Sequence, residues 1–378
     1  MTILNEEQIM LQDQARTWVR EKSPVSRFRA MRDAHGDIGF EQETWGAISK
    51  LGWGGILIPE QYGGSDLGYR TFGVVLEETG RGLTASPLFA SALVGASALL
   101  LGSNEDMKRA WLPRIATGAA VVTLAVDEGP HHAPERVALS ATVSGDSVTL
   151  NGKKSLVLEG LAADGLIVAA RTSGDVGDTN GISLFLVETN TPGIERIKLR
   201  TADSRGYADI QFNDVVISTD AALAEIDSGF ELLDAVLDCA RAGLAAEMMG
   251  TGSEAFDRTL DYLKNRVQFG QVIGSFQALG HRAATHFMEL ELARSCVEAA
   301  LNAIDDNQPD RSQLCSLAKC QMGEYLHDMT NDMIQIHGGI GMTDEFDAGF
   351  FLKRARACEA MFGNQTFHRQ RYISNFGI

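Results

Sequence analysis

Cysteine is scarce and confined: this chain of 378 residues holds five, at positions 239, 296, 315, 320 and 358. No two are spaced Cys-x-x-Cys, so they read as buried thiols rather than a metal site or a disulfide framework. No apolar run approaches the ~18–20 residues that span a bilayer, and the start Met1-Thr-Ile-Leu-Asn-Glu-Glu lacks the basic opening of a secretion signal. A cytoplasmic location without a membrane span is therefore expected. Cations are outnumbered: 33 Lys and Arg face 50 Asp and Glu, a net charge of −17. That excess argues against nucleic acid or an anionic membrane as the main partner, and leaves room for a local basic patch facing a phosphorylated ligand. Beyond Ala224 only Pro309 remains, which favours long helices. Internal repeats and low-complexity segments are absent. What is present, 44% hydrophobic and 22% charged residues, suits a globular protein of two or three domains.

The hydropathy pattern changes twice along the chain. Residues 1–118 carry helical segments such as Glu6–Arg20 and a glycine-marked turn at Pro59-Glu-Gln-Tyr-Gly-Gly, with no sustained alternation. Residues 119–224 switch to short β-rich runs, 121–126, 141–143, 147–150, 166–170, 182–187 and 208–217. Ser144-Gly-Asp, Asn151-Gly and a glycine-rich stretch at 174–181 separate them, as an antiparallel meander needs. From 225 to 378 helical spacing takes over and the strands are expected to stop. Ser228-Gly-Phe-Glu231 has the form of a capping box. Phe230, Leu233, Leu237, Ala240 and Leu244 mark a first helix; Phe287, Leu290, Val297 and Leu301 a second; Leu314, Ala318, Met322, Leu326, Met329, Met333 and Ile336 a third. The methionines fall on the buried stripe and read as core. The fold class expected is α+β: an N-terminal α domain, a middle antiparallel β domain and a C-terminal four-helix bundle.

Two segments carry chemistry. Asn265-Arg-Val-Gln-Phe-Gly-Gln-Val-Ile-Gly-Ser-Phe-Gln277 orders charge, amide, ring and glycine as a diphosphate-bearing cofactor would require. Gln335-Ile-His-Gly-Gly-Ile-Gly-Met-Thr again sets amides and glycines at a helix end. Arg266 can fork onto phosphate oxygens, Phe269 can cover a flat ring system, and Gly338 with Gly339 lets backbone N–H groups approach an anion. In this order the segments resemble the flavin-binding signature of the acyl-CoA dehydrogenase family, Arg-x-Gln/Thr-Phe-Gly, then Phe/His-Gln, then Gln-x-x-Gly-Gly. The succession of helical, β and helical regions extends the resemblance over essentially the whole chain. It implies FAD as cofactor, an acyl-CoA as substrate, lipid degradation as the setting and an electron-transfer protein as acceptor. It assigns cofactor contacts to Arg266, Gln268, Phe269, Gln277, Gln335, Gly338 and Gly339, which in the family reach across a subunit interface to the ADP half of the neighbour's FAD.

The same resemblance exposes losses. In the family a glutamate removes the α-proton of the thioester while the β-hydrogen leaves as hydride to the flavin. Its usual motif, like Ile-Tyr-Glu-Gly-Thr, becomes Met361-Phe362-Gly363-Asn364-Gln365, which puts Gly363 at the base position. The alternative location, immediately before an arginine on an earlier helix, is Ala240 before Arg241. No catalytic residue is identified, and Glu359, one turn before Gly363, reads as a solvated helix-surface glutamate. The family's Thr-Glu-Pro-x-x-Gly-Ser-Asp becomes Val126-Asp-Glu-Gly-Pro-His-His132, and the Trp-Ile-Thr/Ser after Asn151-Gly-Lys-Lys154 becomes Leu156-Val-Leu158. Adjacent His131 and His132 are poorly placed for a metal and read as loop residues. Asp238 and Arg241 match positions near the acyl-CoA nucleotide; buried ion pairing accounts for them equally well.

The chain thus resembles the small, base-less subunit of heteromeric bacterial acyl-CoA dehydrogenases, the pimeloyl-CoA and steroid side-chain types included. The implied assembly is a tetramer with a base-bearing paralogue. A homotetramer with a relocated base and a cofactor-free scaffold subunit are the two other readings.

Overall fold

A computed structural model describes residues 4–374. Eleven α-helices and nine strands are formed among them. The first six helices are α1 (Glu6–Lys22), α2 (Val25–Ala34), α3 (Gln42–Lys50), α4 (Gly68–Arg81), α5 (Ala96–Leu101) and α6 (Glu105–Ala116); α5 continues a π-helical stretch, Leu88–Gly95. Strands β1 (Val122–Ala125), β2 (Ser140–Ser144), β3 (Ser147–Leu158), β4 (Gly165–Arg171), β5 (Ile182–Glu188), β6 (Ile194–Leu199) and β7 (Tyr207–Ser218) follow. Then come α7 (Gly229–Asn265), a hairpin of β8 (Val267–Gln268) and β9 (Gln271–Val272), α8 (Gln277–Asp305), α9 (Arg311–His337), α10 (Ala348–Ala360) and α11 (Gln365–Ser374).

The described chain resolves into two compact units, each discontinuous in sequence. One comprises residues 30–68 and 85–240 and holds the seven-stranded sheet, in spatial order β1-β4-β2-β3-β7-β6 with β5 also paired to β4. Its core is packed from Val148, Val168, Phe185, Ile210 and Phe212, all at most 1% exposed. Most ladders are antiparallel, as expected, but β1 runs parallel to β4 along Val122–Ala125. Both strands are buried along their whole length, the pattern of parallel strands, and the long excursion through β2 and β3 supplies the crossover. Asn151-Gly152 is not a turn. It lies within β3, where the ladder to β7 slips a residue between Leu150 and Gly152, and Gly152 takes φ 139°. The bulge lets β3 continue for twelve residues, so the expected run 147–150 extends through the supposed turn to Leu158. Strand β6, with an exposed Glu-Arg-Ile-Lys centre, escaped the hydropathy pattern because it is a charged sheet edge.

The other unit comprises residues 1–29, 69–84 and 241–378. Helix α1 opens with a reciprocal capping box between Asn5 and Gln8. Helix α4 enters under Asp305, whose carboxylate accepts the backbone N–H groups of Tyr69 at 2.7 Å and Arg70 at 2.9 Å. Buried carboxylates on α4 find guanidinium partners on other elements of the unit: Glu77 with Arg294 at 2.9 Å, Glu78 with Arg16 at 2.8 Å. Helices α7, α8 and α9 are those the apolar spacing anticipates, and Met322, Met329 and Met333 are wholly buried. Phe287 is the exception, 57% exposed although its spacing placed it on the buried stripe. Among the described residues all five cysteines are free thiols, no group of three His, Cys, Asp or Glu side chains could hold a metal, and no helix is long and apolar enough to cross a membrane.

Candidate functional site

Four of the expected cofactor contacts cluster at the junction of α7 and α8. Arg266 ends α7, its N–H donating to the Tyr262 carbonyl at 2.9 Å, and its own carbonyl accepts the Ile273 N–H at 2.8 Å. The two-residue turn Phe269-Gly270 then reverses the chain with φ of 55° and 78°, the left-handed pair of a tight hairpin. Asparagine or glycine normally fills the first of these positions, so phenylalanine stands there at a steric cost. Its ring is 90% exposed and touches only the edge of Phe276, 6.1 Å away. Among the described residues the side chains of Arg266, Gln268 and Gln277 are exposed and make no hydrogen bond or ion pair. A guanidinium, two amides and an aromatic face are thus displayed on one short rigid element with nothing in the chain to occupy them. Sequence reasoning expected no strand beyond Ala224; the β8–β9 hairpin that presents these groups is too short to generate periodicity.

The Gln335-x-x-Gly-Gly segment is set by a polar cluster between α8 and α9. Arg282 clasps the Asp332 carboxylate, with Nε donating at 2.9 Å, and also donates to the Gln335 side-chain carbonyl at 2.7 Å. His286 Nε2 lies 2.8 Å from Asp332. Burial alone would raise the Asp332 carboxyl, but the Arg282 and His286 hydrogen bonds outweigh it and hold the group below its ordinary value. His337, missed by sequence reasoning, shapes the following turn: its ring stacks between Tyr262 (4.2 Å) and Phe346 (4.6 Å), and Nδ1–H donates to the Met333 carbonyl at 2.7 Å. Burial pushes this imidazole below its ordinary pKa. The Gly338 N–H closes α9 on the Gln335 carbonyl and is spent; Gly339 remains exposed, with open space where a side chain would stand.

The Gly363 turn, where the resemblance places the base, is built otherwise. Gly363 has φ 105°, Phe362 φ 55°, and a Cβ built on Gly363 would overlap the Phe367 ring. Two buried cations tie down this turn. Lys319 Nζ donates to the carbonyls of Gly363 at 3.1 Å and Glu359 at 3.3 Å, and Arg241 Nε donates to the Phe362 carbonyl at 3.3 Å. Burial lowers the Lys319 ammonium to about 8. Arg241 and Asp238 are both enclosed, at 0% and 2% exposure, and Ala240 is wholly buried. Glu359 is not a solvated glutamate: its carboxylate takes Arg356 and, at 3.1 Å, His327 Nδ1. It is engaged as an ion-pair partner.

In the sheet unit, the segment matching the flavin-ring loop is closed on itself. Lys154, fully buried, donates to the Val126 carbonyl at 3.0 Å and to Glu128 at 2.6 Å. Glu128 also accepts the N–H groups of Ala138 at 2.8 Å and Leu139 at 2.9 Å. Asp127 holds His132 Nδ1 at 2.9 Å, and the Asp127 carbonyl accepts the Ser155 N–H at 2.7 Å. Leu156 sits in a second bulge of β3 with φ 54°. The polar side chains at 127, 128, 132 and 154 are thus engaged among themselves, and the side chains at 126, 156 and 158 are aliphatic. The donor set on α7–α9 fits the diphosphate half of FAD; this loop does not fit its ring.

Comparison with known proteins agrees with this architecture. Three family profiles match in succession: the acyl-CoA dehydrogenase N-terminal domain over residues 5–119, the middle domain over 132–218 and the C-terminal domain over 227–375. The probable acyl-CoA dehydrogenase YngJ of Bacillus subtilis is 31% identical over 88% of this chain and 89% of its own length. The caffeyl-CoA reductase–Etf complex subunit CarC of Acetobacterium woodii is 30% identical over 81% of this chain and 82% of its own. Among solved structures, the Tcur3481–Tcur3483 steroid ACAD superposes with a TM-score of 0.89 at 27% identity, covering 98% of each chain. The chain belongs to the acyl-CoA dehydrogenase family. Members of that family are FAD-dependent flavoprotein oxidoreductases acting on CH–CH groups.

Proposed function

We propose that this chain is the base-less subunit of a heteromeric acyl-CoA dehydrogenase, contributing the α7–α9 contacts to FAD held chiefly by a base-bearing paralogue. The observation that carries this reading is the asymmetry of the site. Arg266, Gln268, Phe269 and Gln277 stand exposed and unengaged, whereas the ring loop is closed by Lys154 and Glu128 and the base position is a glycine that admits no side chain. Arg266 would bind the diphosphate, the amides of Gln268, Gln277 and Gln335 would orient it, and Phe269 would shield it from water. When bound, FAD supplies hydride acceptance at the β-carbon. Proton removal at the α-carbon falls to the paralogue, because neither Gly363 nor Ala240 can accept a proton. Asp238 and Arg241 are assigned to the acyl-CoA region through α7, Arg241 acting on the 361–363 turn rather than on solvent-borne ligand. Exposed Phe287, Met288 and Leu292 on α8 give the partner an apolar surface. The similarity to CarC, a caffeyl-CoA reductase–Etf complex subunit, and to the Tcur3481–Tcur3483 steroid ACAD supports an assembly of this type, with an electron-transfer flavoprotein as acceptor. Domain limits of 1–118, 119–224 and 225–378 are proposed on the same basis.

The test is purification alone and after co-expression with a base-bearing paralogue. Alone, the chain is expected to carry little FAD and to leave acyl-CoAs unoxidised with an artificial acceptor; together, yellow colour and activity appear. Arg266→Ala in the complex is expected to loosen FAD about ten- to a hundred-fold, the worth of one charge-assisted phosphate contact. A fully loaded, active homo-oligomer, or flavin occupancy indifferent to Arg266, refutes the proposal.

A further inference from the structure

The sheet unit holds a cavity of about 350 Å³ between the C-terminal end of α2 and the connection from β6 to β7. Its floor is apolar, with Met31 and Tyr207 buried and Leu199 half-buried. Its rim is cationic in a chain whose net charge is −17. Lys198 is anchored, donating to the Gly36 carbonyl at 2.9 Å and pairing with Asp37 at 3.1 Å, and Asp37 is the one acid lining the cavity. Arg205 is buried in the wall. Arg200 and His35, by contrast, are exposed, and among the described residues their side chains make no hydrogen bond or ion pair. His35 is held in place by a left-handed backbone, φ 52°, at the end of α2.

A free guanidinium and a free imidazole over an apolar floor form a recognisable chemistry. The fork of Arg200 matches phosphate or carboxylate oxygens, and the His35 imidazole adds a ring N–H that can donate to them. The volume lies in the range of small-molecule sites, which are mostly apolar with a few placed polar groups. We propose that this cavity is a binding site for a small organic phosphate, its phosphate held by Arg200 and His35 and its apolar body resting on Met31, Leu199 and Tyr207. A dianion is favoured over a monocarboxylate because Arg200 and His35 both stand unengaged at the cavity while Asp37, the acid among its lining residues, is already paired with Lys198. The cavity shares no lining residue with the proposed α7–α9 contacts to FAD.

Equilibrium titration of the full chain at low ionic strength tests it, with adenosine 5′-monophosphate and inorganic phosphate as probes and adenosine as the uncharged control. The nucleotide is expected to bind saturably at one equivalent, inorganic phosphate to compete more weakly, and adenosine to bind far less than either. Arg200→Gln should weaken the nucleotide about ten- to a hundred-fold, as loss of a charge-assisted contact implies, with Arg200→Lys recovering part of it. Because Arg200 is exposed and unengaged, its variants should melt as wild type does. Arg266→Ala should leave this binding unchanged, which separates the cavity from the FAD contacts. Absence of saturable binding by both charged probes, indifference to Arg200→Gln, or loss on Arg266→Ala overturns the proposal.

Discussion

At the scale of single residues, Gly363 limits what the proposed base position can hold. Its φ of 105° and the Phe367 ring against its missing side chain mean that restoring the family's glutamate is a backbone problem as well as a chemical one. Gly363→Glu is expected to destabilise the chain by about 1–3 kcal/mol, the usual cost of forcing a side chain into such a conformation, and to give no α-deuterium exchange on an acyl-CoA. A stable, exchange-competent variant would contradict both halves. His337 supports a pH prediction. Its folded pKa lies below the ordinary value of about 6.5, so the unfolded state takes up the proton more readily. Its contribution is complete above about pH 6.5 and is lost as pH falls through the lower folded value. Asp332, also depressed, adds loss only in more acid solution. Glu78 and Asp305, raised by burial, act with the opposite sign, so the difference between variants is the readout. The melting temperature of His337→Phe should fall less than that of wild type between pH 7 and 5.5. Parallel curves would remove His337 from the account.

At the scale of elements, the β8–β9 hairpin is built against its own turn chemistry. Asn-Gly is the preferred pair for such a turn and Phe-Gly is not, yet the ring is left 90% exposed. Phe269→Asn is therefore expected to stabilise the isolated chain by about 0.5–1 kcal/mol, because the left-handed conformation costs asparagine less. The same change should reduce FAD retention in the co-expressed complex. Denaturant midpoints and flavin-to-protein ratios, measured on the same preparations, check the trade; a destabilised isolated chain would mean that Phe269 already packs within it. The sequence made the long helices legible because each buries an unbroken 3.6-residue stripe, and Phe287 misled because one apolar residue on a stripe looks the same whether it faces a core or a partner. Strand β6 and the hairpin were illegible for a different reason: charged edges and two-residue strands bury too little to impose a period.

At the scale of the molecule, the groups proposed as cofactor contacts are legible as residue types, since Arg266, Phe269 and Gln335 carry their chemistry wherever the chain runs. The condition of the surrounding groups is not. That Glu359 is paired with His327, and that Glu128 accepts Lys154 as well as two backbone donors, are facts of partners brought together across long separations, and no local pattern encodes them. The two-unit division belongs to the same class, because apolar spacing reports that a face is buried without reporting against what.

That division has a consequence for the order of synthesis. Helices α1 and α4 belong to a unit whose remainder begins at residue 241, and the buried carboxylate of Glu77 pairs with Arg294. A ribosome releases both helices long before α8 exists, so at ~5–20 residues per second they wait for roughly ten seconds or more with only each other as partners, Arg16 against Glu78, while the sheet unit can already close. A chain halted at residue 240 should therefore resist protease across 85–240 and be cut freely within 6–22 and 69–81. Protection of α1 in that fragment would show that the early helices have found another shelter. If they have none, the amino-terminal helices are where a growing chain meets a chaperone, and where a stalled one is destroyed.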